Sequence, residues 1–150
     1  MKAWRSLAMV LVLIGCSDRQ DAPPGTLDLE RLDGQWVVIN YWAEWCKPCI
    51  KEIPELNALD KRYPAVTVMG INYDGLSGEE LQAQAREFGI EFHLLTTDPA
   101  PQLGVARPVV LPTTLILDPQ GRLTETLVGP QTLESLALVT GQVSGESRTE

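Results

Sequence analysis

Cys46 and Cys49 stand three positions apart in the segment Trp45-Cys46-Lys47-Pro48-Cys49. That spacing suits sulfur chemistry if the pair opens a helix. A thiolate at a helix start faces backbone N–H groups that have no helical partner, and the positive end of the helix dipole. Both favour the charged form of Cys46, and Lys47 adds positive charge. The segment therefore predicts Cys46 as the attacking sulfur near neutral pH. Cys49 falls within bonding reach on the first turn, where it would resolve a mixed disulfide. Pro48 suits the helical backbone there. Other readings of the pair stay open. Half of a zinc site is one, but the chain holds a single histidine, His93, and no second pair at ligand spacing. A purely structural disulfide would close a very short loop and add little stability. Two soft sulfurs could also handle Cu(I), although no convincing third ligand is present.

The elements needed to position this pair can be read around it. Gln35 to Trp42 is a run of β-branched and aromatic residues, which predicts a buried strand ending just before the cysteines. From Cys46 to Tyr63 the pattern turns helical, with Ile50, Ile53, Leu56 and Leu59 at three-residue intervals. Pro54 inside this helix predicts a kink. Val66 to Tyr73 reads as a second buried strand, and Ser77-Gly78-Glu79-Glu80 as a capping box opening a helix that Gly89 stops. Phe92 to Thr96 is a candidate short strand, and Pro99 to Gly104 a single helical turn. Thr113 to Leu117 and Arg122 to Val128 pair as a hairpin around Asp118-Pro119-Gln120-Gly121. Thr132 to Val143 predicts a final helix. Thr26 to Leu32 alternates weakly and predicts a short edge strand. Strands alternating with helices imply parallel pairing, and the closing hairpin adds antiparallel strands. The fold class expected is α/β: a mixed central sheet flanked by helices on both faces, with an extra N-terminal strand or hairpin. Trp36, Tyr41 and Trp42 read as core, and His93, in an apolar run, as structural.

The chain has 150 residues, enough for one domain, and 44% of them are hydrophobic against 21% charged. This composition is globular. With 12 basic and 20 acidic residues the formal charge is −8. Binding along nucleic-acid phosphates needs clustered Lys and Arg, so no nucleic-acid partner is expected.

The first residues belong to something other than the fold. Lys2 and Arg5 precede a short apolar run that ends in Leu13-Ile14-Gly15-Cys16. The run is far below the roughly 20 residues that span a bilayer and fits the core of an export signal. Its end resembles the lipobox of bacterial lipoproteins. That resemblance implies cleavage before Cys16, lipidation of its thiol and a stable membrane anchor. Residues 1–15 are thus expected to be a signal peptide, and residues 16–25 a lipidated cysteine and tether. Residues 26–143 form the expected domain and 144–150 a tail. The tether, rich in Pro and polar residues, would reach about 30 Å fully extended.

The segment Val38-Ile39-Asn40-Tyr41-Trp42-Ala43-Glu44-Trp45-Cys46-Lys47-Pro48-Cys49 resembles the thioredoxin signature, and Leu111-Pro112-Thr113-Thr114 resembles its cis-proline loop. The run Trp-Cys-x-Pro-Cys-x-x-Glu-x-Pro, with Asn40 where thioredoxin carries an acid, is similar to the TlpA/ResA branch of membrane-tethered thiol-disulfide oxidoreductases. The resemblance covers roughly Thr26 to Val143. It implies a redox disulfide between Cys46 and Cys49, and a cis Leu111–Pro112 bond facing them. It implies a substrate surface of Trp45, Leu111, Pro112 and Thr113, and a proton-handling role for Glu52. No cofactor or metal is implied. Protein thiols and disulfides are the implied substrates, apocytochrome c among them. The implied electron donor is a membrane protein of the DsbD/CcdA type. A monomer on the periplasmic side of the bacterial envelope is expected, anchored to the inner or outer membrane. Thiol oxidase or isomerase activity is the alternative, and a peroxidase is less well matched. The chain departs from the family in one place. A shorter run usually joins Gly-Val to the cis-proline, whereas here Ala106-Arg107-Pro108-Val109-Val110-Leu111 separates Gly104-Val105 from Pro112. These added residues are expected to alter the substrate surface, as are the exposed charges Glu44 and Lys47.

Overall fold

A computed structural model of the chain describes residues 25–143. The leader, Cys16, most of the tether and the tail over 144–150 lie outside the described residues. Five strands and three helices follow in the order β1 (Trp36–Trp42), α1 (Lys47–Arg62), β2 (Val66–Asn72), α2 (Gly78–Phe88), β3 (His93–Leu95), β4 (Thr113–Leu117), β5 (Leu123–Val128) and α3 (Leu133–Val139). One sheet holds all five strands in the order β3-β2-β1-β4-β5. β1 runs parallel to β2, and β2 to β3, while β4 is antiparallel to both β1 and β5. The central position of β1 explains why its sequence does not alternate. Both its faces are covered, so six of its seven residues are buried.

The two faces are covered differently. Val38 packs among Ile53, Leu56 and Leu59 of α1 and Leu136 and Ala137 of α3. Trp42, on the same face, meets Leu81 of α2 and sets its ring edge-on to Phe88 at 6.2 Å between centroids. All three helices therefore share one face. Val37, Ile39 and Tyr41 point the other way, toward Leu27, with Leu29, Leu32, Leu103 and Val105 packed alongside. This corrects the expectation of helices on both faces. Pro99, Pro101 and Gly104 limit the stretch around them to a single turn, closed by the Leu103 N–H on the Pro99 carbonyl at 3.0 Å.

The expected edge strand over 26–32 is likewise a set of turns. The Asp28 carboxylate accepts from the Arg31 N–H at 3.2 Å, and the Leu32 carbonyl accepts from the Gln35 N–H at 3.0 Å. Gly25, with φ of 82°, begins this segment, and its carbonyl accepts from the N–H groups of Thr96 and Thr97 at 2.8 and 3.2 Å. Helix α1 runs on through Pro54. Ser77 caps α2 with no side-chain bond, so the capping box expected there is not formed; a reciprocal one joins Thr132 and Ser135 at the start of α3. Helix α3 ends at Val139, short of Val143, where the Thr140 hydroxyl donates to the Leu136 carbonyl and Gly141 turns the chain at φ of 66°. Among the described residues no helix is long and apolar enough to cross a membrane.

Gly70 in β2 lies opposite Asn40 of β1. A Cβ there would stand 2.8 Å from both Leu94 and Phe92 side-chain atoms and 3.3 Å from the Trp42 indole nitrogen. Gly70→Ala is expected to lower stability by about 1–3 kcal/mol. Urea unfolding of the two proteins side by side checks this.

Candidate active site

The chain leaves β1 at Trp42 and enters α1 within five residues. The Cys46 N–H donates to the Ala43 carbonyl at 3.1 Å, closing the turn. Cys46 is the N-cap of α1, and its Sγ accepts from the Cys49 N–H at 3.3 Å. Pro48, in the first turn, removes a donor that the helix could not pair. Cys46 and Cys49 are joined in a disulfide with Cα atoms 5.3 Å apart. Cys46 retains 5% exposure and Cys49 none, so a partner sulfur reaches Cys46 first. In the reduced pair, a Cys46 thiolate would meet the same Cys49 N–H that now faces its sulfur.

Glu52 lies one turn beyond Cys49 and is 1% exposed. Its carboxylate accepts from the Gln131 N–H at 2.9 Å and from Asn40 Nδ2 at 3.2 Å. Asn40 Nδ2 also donates to Thr114 Oγ1 at 3.0 Å. Burial raises the Glu52 pKa to about 7, against the pull of those two hydrogen bonds. Glu52 is therefore no solvated helix charge. Asn40, which cannot titrate at physiological pH, is its direct partner. Asn40 Oδ1 and Trp42 Nε1 are buried with no hydrogen-bond partner among the described residues.

The Leu111–Pro112 bond is cis. Leu111 packs against the cluster that contains both cysteines. Pro112 is buried, and its carbonyl accepts from the Gly129 N–H at 2.9 Å. Thr113 is buried too, and its hydroxyl donates to the Val110 carbonyl at 2.7 Å. Trp45 is 63% exposed, so it is not a core residue. Its indole N–H donates to the Asp74 carboxylate at 3.0 Å, and its ring stands edge-on to Tyr73. Glu44 and Lys47 are exposed, and Glu44 accepts from the Gln84 amide at 2.7 Å. His93 is exposed on β3, which corrects its reading as a structural residue of an apolar run. Among the described residues no three His, Cys, Asp or Glu side chains gather where they could hold a metal ion. Tyr41 and Trp42 are core as expected, and the Tyr41 hydroxyl donates to Asp98 at 2.7 Å. Sequence reasoning missed Gln131 and Thr114 as parts of the Glu52 network. The only signal for either is three-dimensional: Thr114 lies opposite Asn40 in the β1–β4 register.

The β3-β2-β1-β4-β5 sheet, a Cys-x-x-Cys pair at the start of α1 and a cis-proline loop before β4 define a thioredoxin fold. The sequence profile of the AhpC/TSA family matches residues 17–126, and the chain belongs to that family. It is 32% identical over 114 residues to the thiol-disulfide oxidoreductase ResA of Bacillus thuringiensis (strain Al Hakam), a match covering 73% of this chain and 64% of that protein. It is 30% identical over 135 residues to the thioredoxin-like protein YneN of Bacillus subtilis (strain 168), covering 82% and 78%. Among solved structures, a DsbF homologue from Corynebacterium diphtheriae matches with a TM-score of 0.66 at 29% identity, over 78% of this chain and 77% of that one.

Between its unfolded value of 4.5 and about 7, Glu52 holds a proton in the folded chain that the unfolded chain has released. Its contribution to stability therefore falls as pH rises through that window. Glu52→Gln removes this dependence. Denaturant midpoints at pH 5 and pH 8 are expected to show the variant gaining on the parent by on the order of 2 kcal/mol at the higher pH.

Proposed function

We propose that this protein is a membrane-tethered, extracytoplasmic thiol-disulfide oxidoreductase that reduces protein disulfides through Cys46 and Cys49. One observation carries the reading. The two sulfurs form a disulfide at a helix start, with Cys46 keeping 5% exposure and Cys49 fully buried one turn before a protonatable Glu52. In the reduced state the Cys46 thiolate attacks one sulfur of a substrate disulfide. The substrate S–S bond breaks, a mixed disulfide forms, and the leaving substrate thiolate takes up a proton. Cys49 then loses its proton, for which Glu52 is the nearest acceptor along α1, and attacks Cys46 Sγ. The second substrate sulfur leaves as a thiolate and takes up the proton given up by Cys49, the substrate is reduced, and the protein is left with the Cys46–Cys49 disulfide. An external dithiol must then reduce that disulfide. In this reading that dithiol comes from a membrane donor of the DsbD/CcdA type, and apocytochrome c is one substrate class; the likeness to the TlpA/ResA branch is what supports both.

Leu111 and Pro112 form the substrate-facing loop in this reading, with Trp45 at the rim. Thr113 supports the loop from beneath through its bond to Val110. The apolar leader ending in Gly15-Cys16 supports export and lipid anchoring at Cys16, on the periplasmic side of the envelope.

Equilibrating the Cys46–Cys49 pair against a glutathione or dithiothreitol buffer and then trapping free thiols gives its reduction potential. A value near about −270 mV is expected for a reductase; one near −120 mV, roughly that of a strong oxidant, overturns the direction proposed. A second check isolates the roles of the sulfurs. Cys49→Ser is expected to accumulate a mixed disulfide on Cys46, visible by mass spectrometry without reductant, whereas Cys46→Ser forms none.

A further inference from the structure

The residues between Gly104 and Pro112 lead into the cis-proline loop, and their side chains divide into two groups. Arg107 folds back against the domain surface, with 45% of its side chain still exposed. Its guanidinium carbon lies 4.0 Å from the centre of the Tyr73 ring, its Nε pairs with the Asp98 carboxylate at 3.0 Å, and its Nη2 donates to the Tyr73 carbonyl. Asp98 is fixed in turn by the Tyr41 hydroxyl at 2.7 Å and the Ala100 N–H at 2.9 Å. At the other end of the stretch the buried Thr113 hydroxyl holds the Val110 carbonyl. The backbone from 107 to 110 is therefore held at both ends.

The two valines between those restraints point outward. Val109 is 88% exposed, the most exposed large hydrophobic residue among those described, and Val110 is 53% exposed. The next residue, Leu111, packs against the cluster formed by Cys46, Cys49 and Trp42. An apolar pair held this firmly in water gains by being covered. Any disulfide that reaches Cys46 brings its own flanking residues into this neighbourhood.

We propose that Val109 and Val110 form an apolar lip to the dithiol that selects polypeptide disulfides whose cysteines are flanked by apolar side chains, with Arg107 as the positioning residue that holds the lip in place. This inference rests on the thiol-exchange reading above. The chemistry is unchanged: Cys46 opens the substrate disulfide, Cys49 closes on Cys46, and the substrate leaves as two thiols. The lip acts on which substrate docks.

The test uses two synthetic peptides of equal net charge, each with one internal disulfide, flanked by Leu in one and Ser in the other. Second-order rate constants are measured for their reduction by the reduced full chain, with hydroxyethyl disulfide as a third substrate. The parent is expected to favour the Leu-flanked peptide by about tenfold. The double variant Val109→Ser/Val110→Ser is expected to bring the ratio close to one. Taking a ratio within each variant cancels any change in the reactivity of the dithiol itself. Arg107→Ala is expected to lower the ratio and Arg107→Lys to restore part of it; a merely structural role would lower both rate constants together and leave the ratio intact. A parent ratio near one, or a ratio that survives the double substitution, overturns the lip while leaving thiol exchange standing. No reaction with any of the three disulfides overturns the thiol-exchange reading and the lip with it.

Discussion

The Glu52 carboxylate is the point at which four parts of the chain are held together. It belongs to α1, takes a donor from Asn40 in the central strand, and takes another from the backbone just before α3. Through the same Asn40 amide it is joined to Thr114 in β4. A buried carboxyl without these donors would be costly, so the helix cannot slide or rotate far without leaving polar groups unpaired. That restraint matters because both cysteines sit on the turn immediately before Glu52. The group that orients the helix is also the group left titrating near neutrality. The cause is the same in both cases: it is buried with two hydrogen-bond donors and no cation among them.

The central strand makes this arrangement possible. Among the described strands, β1 alone has a parallel neighbour on one side and an antiparallel one on the other. Its C-terminal end therefore lies beside the C-terminal end of β2 and the start of β4. Three loops meet there: the one holding the cysteines, the one holding Tyr73 and Asp74, and the one holding the cis-proline. Gly70 contributes by having no side chain. The space beside it is occupied by Phe92, Leu94 and the Trp42 indole, which anchors the far side of the cysteine cluster.

Most of this architecture was legible because it is written in local patterns. The apolar run of β1, the three-residue spacing along α1, the Gly89 stop and the Asp118–Gly121 turn each carry a mechanism within a few residues. The placement of the cysteine pair was legible for the same reason, since Pro48 and the apolar spacing after it mark a helix start. What was not legible depends on long-range packing. Leu27, Leu29 and Leu32 look like half of a strand pattern, yet they cover a sheet face through turns. His93 sits in an apolar run but falls on the exposed side of the short strand β3. Arg107 reads as a free charge until the fold brings Tyr73 and Asp98 to it, 34 residues away in the case of Tyr73. Likewise, Gln131 lies 79 residues from Glu52 and bonds through its backbone, which no side-chain pattern can signal.

The bond from Gly25 to Thr96 and Thr97 carries a consequence for reach. Those threonines follow directly on β3, which is parallel to β2 and, through it, to β1. The described chain therefore begins at the same end of the sheet as the dithiol, two strands to its side. An anchor at Cys16 would thus pull from the reactive end of the molecule. Were Cys16 lipidated as proposed, residues 16–24 could reach no more than about 30 Å, which would hold the dithiol end of the domain near that membrane. Only glycine suits the point where the described chain enters the fold, since a Cβ at position 25 would stand 2.2 Å from the Thr96 hydroxyl.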